Sequence, residues 1–127
     1  MSSLKIKISQ PNVKILKFAL DGLLDVSTSE QFSSAIDNNI SKNIQIIILD
    51  LNDLSYISSD GLRVLFQLKK ISKEQDATLY MINPQPQVQK VFNIVKVMPL
   101  GSVFSSIQEL DEYLDSIQKK VISEQQN

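Results

Sequence analysis

Cysteine and histidine are both absent from this chain. Without cysteine there is no disulfide, no thiol nucleophile and no thiolate ligand for zinc. Without histidine the commonest general base and metal ligand is missing as well. Basic residues number 13 against 14 acidic ones, a net charge of -1, and arginine occurs once, at Arg63. There is no basic stripe and no interleaving of basic with aromatic residues, which argues against direct contact with nucleic acid. Apolar residues never run on for more than four positions, at 46–49, against the ~20 that a membrane-spanning helix requires. The N-terminal MSSLKIKIS mixes charge into its apolar residues and lacks the layout of a signal peptide. No glycine-rich phosphate loop is present either. The expectation is a soluble, cytoplasmic protein without cofactor, metal or membrane insertion.

What is present is enough for one domain. A chain of 127 residues buries roughly two thirds of its unfolded surface. The domain is expected over residues 1–127, with its core at about 4–120 and a polar tail at 121–127. Leu4, Ile6 and Ile8 alternate with Lys5 and Lys7, as in a half-exposed edge strand. Pro11-Asn12 reads as a turn into a second strand at 13–20. Asp21, Gly22 and Asp25 mark a loop, and Thr28 or Ser29 caps a helix reaching about Ile40. Strand formers over 44–50 read as a central strand covered on both faces. A short turn then leads to a helix from Ser59 to about Lys73, with Leu62, Leu65 and Phe66 at helical spacing.

Residues 78–82 (TLYMI) form another strand, and Asn83-Pro84-Gln85-Pro86-Gln87 a rigid loop. Pro86 opens a helix whose Val88, Val91, Phe92 and Val95 face inward. Pro99-Leu100-Gly101 is a breaker ahead of a short strand at 102–104. The last helix runs from Ser106 to about Lys120, and 123–127 frays. Its stripe of Ile107, Leu110, Leu114, Ile117 and Val121 packs on the sheet of its own domain. Two repeats are too few for a coiled coil. Strands alternating with helices indicate an α/β fold with parallel pairs: a mixed four- to five-stranded sheet packed with about four helices.

The most informative segment is IIILDLNDLSYISSDGLRVL, residues 46–65. A serine at a helix start has its hydroxyl outside the core, beside free backbone N–H groups and the positive end of the helix dipole. That position suits a cap and suits a phosphate. One serine explains a cap; the second, ahead of Gly61, is left over. Gly61 in the first turn costs ~1 kcal/mol relative to alanine, and a gain consistent with that cost is access for a partner to the serine backbone. Asp60 fits the first turn through the helix dipole. Asp25 either makes an Asx turn or brings its carboxylate to Ser59. Arg63 is a solvated helix residue, or pairs with a phosphate one turn back. Asp50 ends its strand as a receiver's acceptor does, yet no acidic pair follows the first strand, so it reads as a strand-end carboxylate meeting solvent.

Leu54-Ser55-Tyr56-Ile57 followed by Ser58-Ser59-Asp60-Gly61-Leu62-Arg63-Val64 resembles the signature of the STAS domain, in its bacterial anti-sigma factor antagonist branch. Gly22-Leu23-Leu24-Asp25 resembles the family's Gly-Glu-Leu-Asp, and residues 86–100 its third helix and following loop. The resemblance covers roughly residues 4–114. It implies a single STAS-like α/β domain and places the phosphorylated serine, two positions before the glycine, at Ser59, with Ser58 as the alternative. The family's preceding Asp is Ser58 here, its following Ser or Thr is Asp60, and Leu23 stands where many members have Glu.

The function implied is a phosphorylation-gated binding module of bacterial partner switching, in signal transduction and transcription regulation. Unphosphorylated, it would capture an anti-sigma factor that is also a serine protein kinase; a PP2C-type phosphatase would restore that form. Partner contacts are implied at Asp25, Ser58, Ser59, Asp60, Gly61 and Arg63. A second reading keeps the fold without the switch, as a scaffold or accessory subunit of a stress-signalling or membrane transport complex. An enzyme is not expected. Ser59 has no histidine partner, Lys69 and Lys70 lie near the far end of its helix, and the pair Asp25 and Asp60 is too few ligands for a metal.

Overall fold

A computed structural model of the chain describes residues 3–97 and 104–125. Burial alternates along the strand Ile46–Ile57 (β3), and that alternation orients the whole sheet. Ile47, Leu49 and Leu51 are buried while Ile46, Ile48 and Asp50 are only partly covered. Before β3 come β1 (Leu4–Asn12), β2 (Ile15–Leu24) and α1 (Ser29–Asn39). After it come α2 (Ser59–Glu74), β4 (Thr78–Ile82), α3 (Pro86–Val97) and α4 (Ile107–Gln125). The strands are ordered β1-β2-β3-β4, with β1 antiparallel to β2 and the other two pairings parallel.

Side chains directly opposite in the ladder share a face, so Leu16, Phe18 and Leu20 of β2 join Ile47, Leu49 and Leu51. Against them pack Phe32 and Ile36 of α1, Leu62, Leu65 and Leu68 of α2, Val88 and Val91 of α3, and Leu114 of α4. Each fully buried side chain of this size contributes about 1.5–3 kcal/mol. Phe18 and Phe32 meet edge to face at 5.8 Å, the geometry their ring quadrupoles favour. The opposite face carries Lys17, Ile48 and Tyr80, none of them buried. The central strand is therefore sealed on one side, not on both as its composition suggested.

Several boundaries also move. The β1–β2 turn is Val13-Lys14, tied by the Lys14 N–H donating to Asn12 Oδ1 at 2.8 Å. Pro11 and Asn12 belong to the end of β1, beyond an irregularity in its register. A proline is tolerated on an edge strand because no ladder bond is demanded of it. Gly22 continues β2 at φ +122, and a Cβ there would collide with the Ser3 carbonyl; a left-handed glycine thus replaces the expected loop. α3 starts at Pro86, with Val88 and Val91 buried and Phe92 and Val95 partly so. α4 extends to Gln125, past the expected end near Lys120. Ile107, assigned to its inner stripe, is 70% exposed. Of the short strand expected at 102–104, residues 102 and 103 lie outside the described residues, and Phe104 is in no strand.

The largest departure is the length of β3. It does not turn at Asn52 but continues to Ile57, pairing with β2 as far as Leu24–Ile57. Its pairing with β4 stops at Asp50–Ile82. Beyond that point the unpaired edge is satisfied by glutamines. Gln85 donates to the Asn52 carbonyl at 2.7 Å and Gln87 to the Ser55 carbonyl at 2.9 Å. Gln118 of α4, wholly buried, donates to the Ile57 carbonyl at 2.8 Å and accepts its N–H at 3.0 Å. Buried backbone groups need such partners, and here side chains replace a neighbouring strand.

Candidate functional site

Ser58 and Ser59 follow β3 directly and sit at the carboxyl end of the sheet, where open α/β sheets present their binding crevices. The two serines face different surroundings. Ser58 is the N-cap of α2, extended at φ -101 and ψ -179. Its N–H donates to the Leu24 carbonyl at 2.9 Å. Its hydroxyl accepts the Gly61 N–H at 3.4 Å, and the residue is only 6% exposed. Ser59 is the first helical residue and is partly exposed. Among the described residues its hydroxyl makes no hydrogen bond. One serine is thus engaged and buried as a cap, and the next is displayed.

Gly61 is buried, and the reason for glycine is packing. A Cβ there would stand 2.7 Å from the Leu24 carbonyl oxygen and 2.9 Å from side-chain atoms of Leu24 and Ile57. This close approach of α2 to the end of β2 replaces partner access as the explanation. It also brings the Asp25 turn beside the start of α2. Asp25 makes the expected Asx turn, its Oδ1 accepting the Ser27 N–H at 3.0 Å and the Ser27 hydroxyl at 2.8 Å. Thr28 is the N-cap residue of α1, yet its hydroxyl turns backward, donating to the Leu23 carbonyl at 2.7 Å and accepting the Asp25 N–H at 3.0 Å. Asp60 lies in the first turn of α2, and Arg63 reaches back to it at 3.3 Å from an exposed position. Asp25, Ser59, Asp60 and Arg63 therefore reach the surface, while Ser58 and Gly61 support it from beneath.

Sequence reasoning missed the contribution of α4. Asp111 Oδ1 accepts the Ser59 N–H at 3.0 Å, capping α2 from 52 residues away. Asp115 lies beside the hydroxyl of Tyr56, the penultimate residue of β3. Burial first, then the nearby charges of Asp115, Asp111 and Asp25, push the Tyr56 hydroxyl up to about 12. Tyr56, Asp60, Asp111, Glu112 and Asp115 line an open depression of about 590 Å³. On the other side, Ser59, Leu62, Arg63, Phe66 and Leu110 line a hollow of about 180 Å³, with Phe66 half exposed. Ser59 thus stands at the border between an acidic depression and an apolar hollow. Among the described residues no three acidic side chains are grouped to hold a metal. The spacing of Asp111, Asp115 and Gln118 places them on one flank of the apolar stripe of α4, which was the only trace of this role in the sequence.

Known proteins share the fold. A family model described as the STAS domain matches residues 6–110. BtrV of Bordetella bronchiseptica, named as an anti-sigma factor antagonist, is 30% identical over 87 residues, covering 68% of this chain and 75% of that protein. The phosphorylated form of the Bacillus cell fate determinant SpoIIAA superposes with a TM-score of 0.62 at 22% identity, covering 75% of this chain and 86% of that one. An anti-sigma factor antagonist from Mycobacterium paratuberculosis superposes with a TM-score of 0.66 at 14% identity, covering 91% and 95%. At such identities the structures speak for the fold.

Proposed function

The chain belongs to the STAS domain family, and from that premise we propose that it is an anti-sigma factor antagonist gated by phosphorylation of Ser59. The observation that carries this reading is the contrast between the two serines. Ser58 is buried and engaged, whereas Ser59 presents an unengaged hydroxyl beside the Asp25 turn, Asp60 and Arg63. The partner is an anti-sigma factor with serine kinase activity, and a PP2C-type phosphatase reverses the modification. Binding, not turnover, is the function proposed; among the described residues no side chain is hydrogen-bonded to the Ser59 hydroxyl. No helix among the described residues is long and apolar enough to cross a membrane.

The gate follows from charge. Phosphorylation adds about -1.5 to -2 charges to a surface that already carries Asp60 and Asp111. A partner surface matched to a neutral hydroxyl then meets repulsion and desolvation of roughly 3 kcal/mol or more. That corresponds to more than about a hundredfold in affinity. Ser59→Ala should bind the anti-sigma factor constitutively, and Ser59→Glu at least tenfold more weakly. Titration calorimetry with the purified partner checks this, and equal affinities would sink the gate.

The acidic neighbours of Ser59 favour a second reading, in which the same surface docks a partner constitutively, as a scaffold or accessory subunit of a stress-signalling or transport complex. Phosphosite mass spectrometry on protein from its native cells decides between the two. A condition-dependent phosphate on Ser59 supports the gate, and none in any state supports the scaffold.

A further inference from the structure

The two halves of α4 are held unequally. In the first two turns Ile107, Gln108, Glu109 and Glu112 are exposed, and Leu110 and Tyr113 are only partly covered. The hydrogen-bonded link from this half to the start of α2 is the Asp111 carboxylate on the Ser59 N–H, with Leu110 lining the apolar hollow beside it. Farther along, Leu114 and Gln118 are completely buried, and Gln118 grips both backbone groups of Ile57. Asp115, between the two halves, faces Tyr56 and pairs with Lys119 at 2.9 Å.

Asp111 is thus a resident anion at the N-terminus of α2, bonded to the backbone N–H of the residue whose hydroxyl is the modification site. Kinase transfer would form a bond from Ser59 Oγ to the γ-phosphorus of ATP and break the β–γ bridge. ADP departs and the hydroxyl proton passes to the kinase's base. The new group carries about -1.5 to -2 charges and seeks the same N-terminal N–H groups. It also meets Asp60, Asp111, Glu112 and Asp115 from two helices. Among the described residues the nearby cations already pair with carboxylates, Arg63 with Asp60 and Lys119 with Asp115.

We propose that Asp111 is an internal sensor of the Ser59 phosphate: phosphorylation expels it from the start of α2 and releases residues 107–113 of α4, while Leu114 and Gln118 keep the remainder of the helix on the sheet. This rests on the reading of Ser59 as the modified residue. It adds a second consequence to the gate, because the same event that blocks the Ser59 surface remodels the wall of the neighbouring depression. A partner that recognises the released segment would distinguish the two forms without touching the serine.

The test is amide hydrogen exchange on protein carrying phosphoserine installed co-translationally at position 59, which needs no kinase. Exchange across residues 111–115 should rise by about tenfold or more over the unmodified protein, with residues 117–121 unchanged. Asp111→Asn keeps an acceptor and removes the charge, so phosphoserine should raise its exchange by less than about threefold. Asp111→Ala should show the raised exchange with no phosphate present. Unchanged exchange at 111–115 in the phosphoserine protein, or an Asp111→Asn protein that responds as fully as wild type, would overturn the proposal. Calorimetry with the anti-sigma factor on the same samples separates the two ideas. Lost affinity with an unmoved α4 refutes only the sensor, and retained affinity with a released α4 refutes only the gate.

Discussion

α1 and α2 leave the same end of the sheet from adjacent parallel strands, and each is preceded by a hydroxyl residue. The start of α1 is completed locally. Thr28, Asp25 and Ser27 bond one another and the Leu23 carbonyl within a span of six residues. The start of α2 is completed from a distance. Its Ser58 N–H goes to β2, its Ser59 N–H to α4, and the preceding Ile57 to Gln118. A start held by its own neighbours is a structural turn, insulated from the rest of the molecule. One held by two remote elements can report on them, and a charge placed there is felt by them.

The contrast can be broken from the α4 side first. Gln118→Leu keeps the volume but strands the N–H and carbonyl of Ile57 in a buried place. Each orphaned group costs about 1–3 kcal/mol, so urea unfolding should register a loss of ~2–6 kcal/mol. Hydrogen exchange should rise around Ser58 and Ser59 and stay unchanged at Thr28 and Phe32. Equal loosening of both helix starts would mean that they are not independently held.

Gly61→Ala tests the close approach to β2. The added methyl meets a carbonyl at 2.7 Å, and overpacking of this kind costs about 1–3 kcal/mol, outweighing the helix propensity gained. A lower urea midpoint with an unchanged slope is the expected result; a stabilised protein would show that the contact yields.

The smallest effect concerns Tyr56. Its hydroxyl is pushed up to about 12 in the folded chain, against about 10 unfolded. The unfolded chain therefore loses this proton first as pH rises, and stability falls. The contribution is complete below the unfolded value and is lost as pH climbs through the folded one. Tyr56→Phe has no such proton, so the stability difference between wild type and variant should shift against wild type between pH 10 and 12. A difference independent of pH across that window would remove the Asp115 and Asp111 carboxylates from the account of Tyr56.

Much of this was legible beforehand for identifiable reasons. The order of strands and helices follows from periodicity, because each element must put its apolar residues on one side. α3 was placed by Pro86 together with Val88, Val91, Phe92 and Val95. The two serines stood out because a helix start needs one cap and the chain supplies a second hydroxyl. The length of β3 was not legible, since Asn52-Asp53 has the composition of a turn. Only pairing with β2 and three glutamines from later in the chain keep it extended. Gly61 was singled out, but its reason was not, because the atom it makes room for is a carbonyl 37 positions earlier.

The amino-acid sequence by itself determined the α/β class, the family motif and the pair of serines as the place to look, since these depend on spacing along one segment. Tertiary structure alone decided which serine is displayed, that Asp111 caps its helix from 52 residues away, and that an acidic wall stands beside it. The physical reason is range. Periodicity and capping preferences act over a few residues, whereas a hydrogen bond or a charge acts between atoms that only the packed chain brings within reach.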